Sequence, residues 1–226
     1  MQAFQPIATP DALPSHDPIV QTDHADGLSA ITEPGVELGL WTRTLDPVLN
    51  AWVDELEAPG IPHGRVLVAA GDAAAGVRGI MNHFPSGHQA GAQAFVEDVA
   101  RLAALFSRLT GAELIDIRID HIRHDACWKF HRDAVPLRLI TTYRGPGTEI
   151  VPPARSADAL RDQQSYKGSL MRVPHQSVAV FKGALSASSG IVHRSPPIAG
   201  QDISRLMVCL NTRSAVSPEL MGSMTA

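Results

Sequence analysis

At 226 residues, 44% of them hydrophobic, and with a mean hydropathy near zero, the chain can bury one sizeable core. Its net charge of -4 comes from interspersed charges, with no Lys/Arg block to displace counterions from a nucleic acid or grip an anionic membrane, so neither partner is expected. No apolar run approaches the roughly 20 residues that a bilayer span needs. The N-terminus lacks a basic stretch followed by a hydrophobic one, and only two cysteines, Cys127 and Cys209, are available, so free thiols in a cytoplasmic protein are expected.

Residues 1–35 mix Pro, Asp, His and Thr with few regularly spaced apolar positions and are expected to lie extended over the surface or partly disordered. A single domain should follow over residues 36–226, with helical support at 46–111 and a β core at 113–213. Asp46 as N-cap and Pro47 at the first helical position open a helix carrying Val48, Leu49, Trp52, Val53 and Leu56 up to the Pro59-Gly60 stop. Residues 65–70 read as a short buried strand, with Ala-rich flanks that leave the assignment ambiguous. Phe95, Val99, Leu102, Phe106 and Leu109 form one helical stripe that Gly111 should end.

From Glu113 the period changes to two, with Ile115, Ile117 and Ile119 alternating with Asp116, Arg118 and Asp120. Everything beyond reads as β, with strands at 128–133, 137–143, 148–151, 177–182, 190–193 and 205–211 separated by Gly/Pro turns. The expected class is therefore α+β: a sandwich or jelly roll behind N-terminal packing helices.

The chemistry is expected at Phe130-His131-Arg132-Asp133 and at His193-Arg194-Ser195-Pro196-Pro197. Positions i and i+2 of a strand face the same way, so His131 and Asp133 can meet one ion, and two imidazoles with one carboxylate can cap one face of Fe(II). A second triplet, His24-Ala25-Asp26, has no strand around it and reads as surface. Arg205 offers a planar guanidinium for bidentate contact with a carboxylate, or an ordinary ion pair. Arg138 and Tyr143, near the ligand strand, could contact a ligand carboxylate or hydroxyl or make structural hydrogen bonds. Cys127, four positions before His131, reads as a buried inert thiol, with a place in or just behind the metal's ligand set as the alternative; His121 and His124 read as exposed or just behind the ligands, and His175 as a loop residue. Glu149 is either a fourth ligand or a solvated strand residue.

The order of His-x-Asp, the following strand, Gly145-Pro146-Gly147-Thr148-Glu149, the apolar run Val178-Ala179-Val180-Phe181, Gly183, His193 and Arg205 resembles the iron- and 2-oxoglutarate-dependent oxygenases. That resemblance implies a double-stranded β-helix, a cupin-like jelly roll, with His131, Asp133 and His193 as metal ligands and Arg205 as the holder of the distal carboxylate of 2-oxoglutarate, and with O2 and an unidentified small molecule as the other reactants. At a finer level, the run from Cys127 to Asp133 with Arg138-Leu139, Thr142-Tyr143 and the Gly145–Glu149 turn resembles a bacterial domain-of-unknown-function family described near zinc-responsive metallochaperone GTPases. Here Ile150 replaces that family's usual aromatic after the Thr-Glu pair. Two other readings stay open: a non-catalytic zinc-binding protein of metal homeostasis, and a cupin-type iron enzyme that does not use 2-oxoglutarate. The substrate and oligomeric state have no signature in the sequence.

Overall fold

A computed structural model describes residues 17–57, 60–186 and 190–222. Residues 1–16 and Pro59, both part of sequence expectations, lie outside the described residues. Among the described residues, ten strands and four α-helices are arranged around a seven-stranded sheet. The strands are β1 (Ile19–Thr22), β2 (Leu38–Trp41), β3 (Gly64–Ala69), β4 (Leu114–Ile122), β5 (Leu137–Arg144), β6 (Glu149–Ile150), β7 (Met171–Arg172), β8 (Val178–Lys182), β9 (His193–Arg194) and β10 (Arg205–Thr212). The helices are α1 (Pro47–Glu55), α2 (Ala73–Met81), α3 (Ala90–Thr110) and α4 (Ser156–Asp162).

The large sheet runs β1-β2-β8-β5-β10-β4-β3, antiparallel except for the β1/β2 pair. A small sheet, β7-β6-β9, packs on one of its faces. The alternation in β4, β5, β8 and β10 sorts their side chains. Ile115, Ile117, Leu139, Tyr143, Val178, Val180, Val208 and Leu210 join the core beneath α1, α2 and α3, while Ile140, Ala179, Phe181, Met207 and Cys209 join Ile150 of the small sheet. No helix among the described residues is long and apolar enough to cross a membrane.

Asp46 caps α1 by accepting from the backbone N–H groups of Val48 and Leu49, and Gly111 ends α3 in a left-handed turn at φ +68°. Several expectations are corrected. Residues 17–35 are not loosely draped: β1 extends the sheet, and a 3-10 helix at Ala25–Thr32 buries Leu28 and Ile31 completely. The β region is interrupted by α4. Helix α2 was not legible because Gly76 and Gly79 lower its intrinsic propensity. Its packing needs Gly76, where a Cβ would lie 2.7 Å from Val68 Cγ1.

On the helix side of the large sheet, Arg43 donates to both oxygens of Asp98 at 2.8 and 2.9 Å, and the Tyr143 hydroxyl donates to Asp98 Oδ2 at 2.6 Å. Arg43 also donates to the Gln176 carbonyl at 3.0 Å, which ties α3 to the turn before β8. Breaking such a buried pair strands the surviving charge, at a cost of about 3–5 kcal/mol. Asp98→Ala should therefore lower the unfolding free energy by about that amount in urea titration, and a loss below about 1 kcal/mol would show that water enters the site instead.

Candidate metal centre

Residues 128–133 do not form the expected strand. Cys127 turns the chain at φ +49°, and the Phe130 backbone is bound at both ends by the Gln163 amide, at 2.9 and 3.1 Å, in place of a neighbouring strand. Only His131 makes a bridge. Its N–H donates to the His193 carbonyl and the His193 N–H donates back to the His131 carbonyl, both at 3.0 Å. This reciprocal pair brings the two imidazoles together with ring centroids 4.6 Å apart.

Each ring has its Nδ1 near a backbone carbonyl two residues earlier: His131 with Lys129 at 2.8 Å and His193 with Ile191 at 3.2 Å. A carbonyl only accepts, so each Nδ1 carries the proton and each Nε2 keeps its lone pair. Both Nε2 atoms face Asp133, His131 at 3.6 Å from Oδ1 and His193 at 3.4 Å from Oδ2. One ligand atom from each of the three residues lies within 4.8 Å of the other two, a set able to hold a metal ion. Burial drives the His193 pKa down to about 4, so that ring is neutral at pH 7. Burial raises the Asp133 carboxyl, but His131, His193 and Arg138 together outweigh it and hold it below the ordinary aspartate value. The His131 pKa is raised, chiefly by its interaction with Asp133.

Asp133 is held from outside the group. Arg138 on β5 donates through Nη1 to Asp133 Oδ1, and its Nε donates to Asn211 Oδ1 on β10 at 2.8 Å. Asp133 Oδ2 is buried without a hydrogen-bond partner. A buried orphan acceptor is costly, and a divalent cation among Oδ2 and the two Nε2 atoms would satisfy it, so the donor set fits such an ion. Gly183 permits the approach of this loop to the end of β8, since a Cβ there would lie 2.0 Å from the Val135 carbonyl oxygen.

A cavity of about 60 Å³ opens beside the two histidines, with Thr148, Ser195, Cys127, Arg118 and Arg138 among its walls and Ile122, Ile140, Met207 and Cys209 supplying apolar surface. Arg205 lies directly behind this wall, fully buried, with Nη1 donating to Ser195 Oγ at 2.9 Å and Nη2 3.4 Å from Thr142 Oγ1. Its Nε has no partner, and among the described residues no carboxylate lies within ion-pairing distance of it. Burial lowers its pKa to about 10.

The other sequence candidates fall elsewhere. Tyr143 is corrected: it sits on the helix face of the large sheet, bound to Asp98, because it and Arg138 have opposite parity on β5. Glu149 is neither a ligand nor solvated, since Arg172 and Arg194 each hold it at 2.8 Å. Cys127 is exposed, against the expectation of a buried thiol. His121 and His124 stand outside the ligand group, and His175 is exposed in a turn. Ser195, Thr142 and Asn211 were missed as supports. Ser195 could have been noticed, two residues after His193 and therefore on the same side of an extended chain.

The sequence matches, over residues 22–211, the family described as "Protein of unknown function (DUF1826)", and the chain belongs to that family. No curated protein matches it. Among solved structures it is similar to the Kdo hydroxylase KdoO, a non-heme Fe(II) alpha-ketoglutarate-dependent dioxygenase in complex with succinate and Fe(III). That pair is 11% identical, with 87% of this chain and 89% of that chain covered, at a TM-score of 0.46. It is also similar to JOX2 in complex with 2OG, Fe and JA, at 12% identity, with 97% of this chain and 82% of that chain covered and a TM-score of 0.44. A Pseudomonas putida prolyl-4-hydroxylase is 15% identical over 74% of this chain and 96% of that chain, at a TM-score of 0.31. At these scores the likeness carries no function by itself.

Replacing a residue that orients a metal ligand costs typically about 10- to 100-fold in metal affinity. Arg138→Met should weaken Mn(II) or Zn(II) binding within that range, and His193→Ala should abolish stoichiometric binding, both read by titration against a competing chelator. Unchanged affinity in His193→Ala would remove that histidine from the metal set.

Proposed function

We propose that this protein is an Fe(II)- and 2-oxoglutarate-dependent oxygenase of the hydroxylase type, built on a jelly-roll scaffold whose two facing sheets flank the site. The observation that carries the reading is the pairing of two unmet demands: a His-Asp-His group, with Asp133 and His193 buried and His131 half-buried, that holds an orphaned carboxylate oxygen, and beside it a buried guanidinium without a counter-charge. A divalent cation answers the first and a dicarboxylate the second. A buried charge is tolerated when its partner arrives with the ligand.

Iron with 2-oxoglutarate, when bound, supplies the activation of O2 that hydroxylates a C–H bond while 2-oxoglutarate is converted to succinate and CO2. The chain's own residues hold and orient. His131 and His193 present Nε2 because the Lys129 and Ile191 carbonyls fix their tautomers. Asp133 presents Oδ2 because Arg138 occupies Oδ1. Arg205 and the Ser195 hydroxyl would take the far carboxylate of the co-substrate, with two parallel donors favouring a planar acceptor. Ile140, Met207 and Phe181, whose ring lies 4.7 Å from that of His193, limit water around the ligands.

Anaerobic calorimetry on the Fe(II)-loaded protein should show one 2-oxoglutarate bound per chain. Arg205→Met should weaken it by about 10- to 100-fold, the loss of a charge-assisted pair worth about 1.5–3 kcal/mol. No binding to the wild type, or equal binding to Arg205→Met, would remove the co-substrate from the reading. The same donor set accepts Zn(II), which usually binds more tightly than Fe(II). Stoichiometric zinc after expression without added metal, together with no oxygen consumption on iron reconstitution, would favour a non-catalytic zinc protein instead.

A further inference from the structure

We propose that the molecule entering the cavity beside His131 and His193 carries an anionic group, a carboxylate or a phosphate, which docks on the outward edges of Arg118 and Arg138. In calling that molecule the substrate we rest on the oxygenase reading; the anion site itself rests only on the cavity wall. Arg118 on β4 stands opposite Cys209 of β10, which stands opposite Ile140 of β5, and Arg138 lies one same-face position along β5, opposite Asn211. The two guanidiniums therefore rise from one face of the large sheet on either side of β10. Both line the cavity together with His131 and His193, and no carboxylate is among its lining residues.

The nearby acids are already engaged, and in a way that prepares the guanidiniums. Asp120 accepts from Arg118 Nε at 2.8 and 2.7 Å. Asn211 accepts from Arg138 Nε and Asp133 from its Nη1. Both terminal nitrogens of Arg118 and Nη2 of Arg138 have no partner among the described residues. Arg118 is thus held by its inner nitrogen with both terminal nitrogens free, and Arg138 by Nε and Nη1 with Nη2 free, so neither guanidinium has much side-chain entropy left to lose when it takes an anion. Exposure separates these two from Arg205: the Arg118 and Arg138 side chains are 48% and 26% exposed, whereas Arg205 is at 0%. The deep arginine suits a co-substrate enclosed in the cavity, and the outer pair suits the molecule that arrives last. Ile122, Ile140 and Met207 beneath them favour an uncharged body behind the anionic head.

The test uses the full chain loaded with Mn(II), with and without 2-oxoglutarate. The probes are phenylacetate and phenyl phosphate, with benzyl alcohol and benzylamine as neutral and cationic counterparts, and binding is read by calorimetry and by the shift in melting temperature. One or both anionic probes should bind and raise the melting temperature with 2-oxoglutarate present, more weakly at high salt, and the neutral and cationic compounds should not. The stronger of the two anions names the head group. Arg118→Met should lose at least about tenfold in probe affinity and keep its affinity for Mn(II) and 2-oxoglutarate, with Arg118→Gln giving the same result should the methionine variant be unstable. The inference is overturned if neither anion binds the wild type, if both Arg118 variants bind like the wild type, or if 2-oxoglutarate displaces the probe, which would assign these arginines to the co-substrate. Probe binding that depends on Arg118 in a protein that binds no 2-oxoglutarate would sink the oxygenase reading and leave the anion site standing.

Discussion

The site depends on one reciprocal main-chain pair. His131 and His193 are far apart in the chain, yet each donates its N–H to the other's carbonyl at 3.0 Å, the closely spaced bonding of an antiparallel ladder reduced to a single rung. In such a pair the side chains leave on the same side, so one contact sets the position of both imidazoles. The loop that supplies His131 and Asp133 has no ladder of its own to hold it. It is tied down by this rung, by the Gln163 amide on Phe130, by the Ala184 N–H on the Asp133 carbonyl at 2.8 Å and by Arg138 on the Asp133 side chain. Beyond the rung, the two segments are joined by the Ser195 N–H on the Cys127 carbonyl at 3.0 Å and by Arg132 Nε on the Gly190 carbonyl at 3.1 Å.

The large sheet divides two kinds of buried charge. On the helix side Arg43 meets a carboxylate with two donors, Tyr143 completes the acceptor, and the attraction of Asp98 and Tyr143 outweighs the burial that would lower the Arg43 pKa. On the other side Arg205 is buried as deeply and finds hydroxyl groups and a thioether, with burial lowering its pKa to about 10. The same residue type is thus neutralised where the interior is closed and left without a counter-charge where a cavity adjoins it. Packing alone does not ask for the second arrangement, since an apolar residue of similar volume would cost less in a site that never receives an anion.

Much of this was legible in the sequence, and the failures have physical causes. Alternation in residues 115–120, the Asp46-Pro47 start and the stripe along α3 follow from local spacing, and the structure places β4, α1 and α3 on them. The joining of His131, Asp133 and His193 could be anticipated from residue chemistry and order, but the local geometry could not. An extended-looking run became an irregular loop because its hydrogen bonds go to a side-chain amide 33 positions away. Tyr143 was misplaced although parity along β5 already separated it from Arg138. The 3-10 helix at Ala25–Thr32 was hidden because Leu28 and Ile31 stand alone among polar and small residues, and one buried pair makes no period. The support given by Asn211 and Ser195 depends on strand register, which no local pattern specifies.

The two oxygens of Asp133 divide the labour of support and ligation between them. A free carboxylate near a cation can rotate between one-oxygen and two-oxygen contact, and each rotation would change the number of positions left for other ligands. Here Arg138 takes Oδ1 and is itself braced by Asn211, so Oδ2, 3.4 Å from His193 Nε2, is the oxygen left without a hydrogen-bond partner. Three ligand atoms fixed in this way leave the rest of a cation's coordination shell to whatever enters from the cavity. The arginine that looks like an ordinary ion-pair partner of Asp133 would therefore set how many positions a cation bound there could offer, and the same residue lines the cavity beside the two histidines.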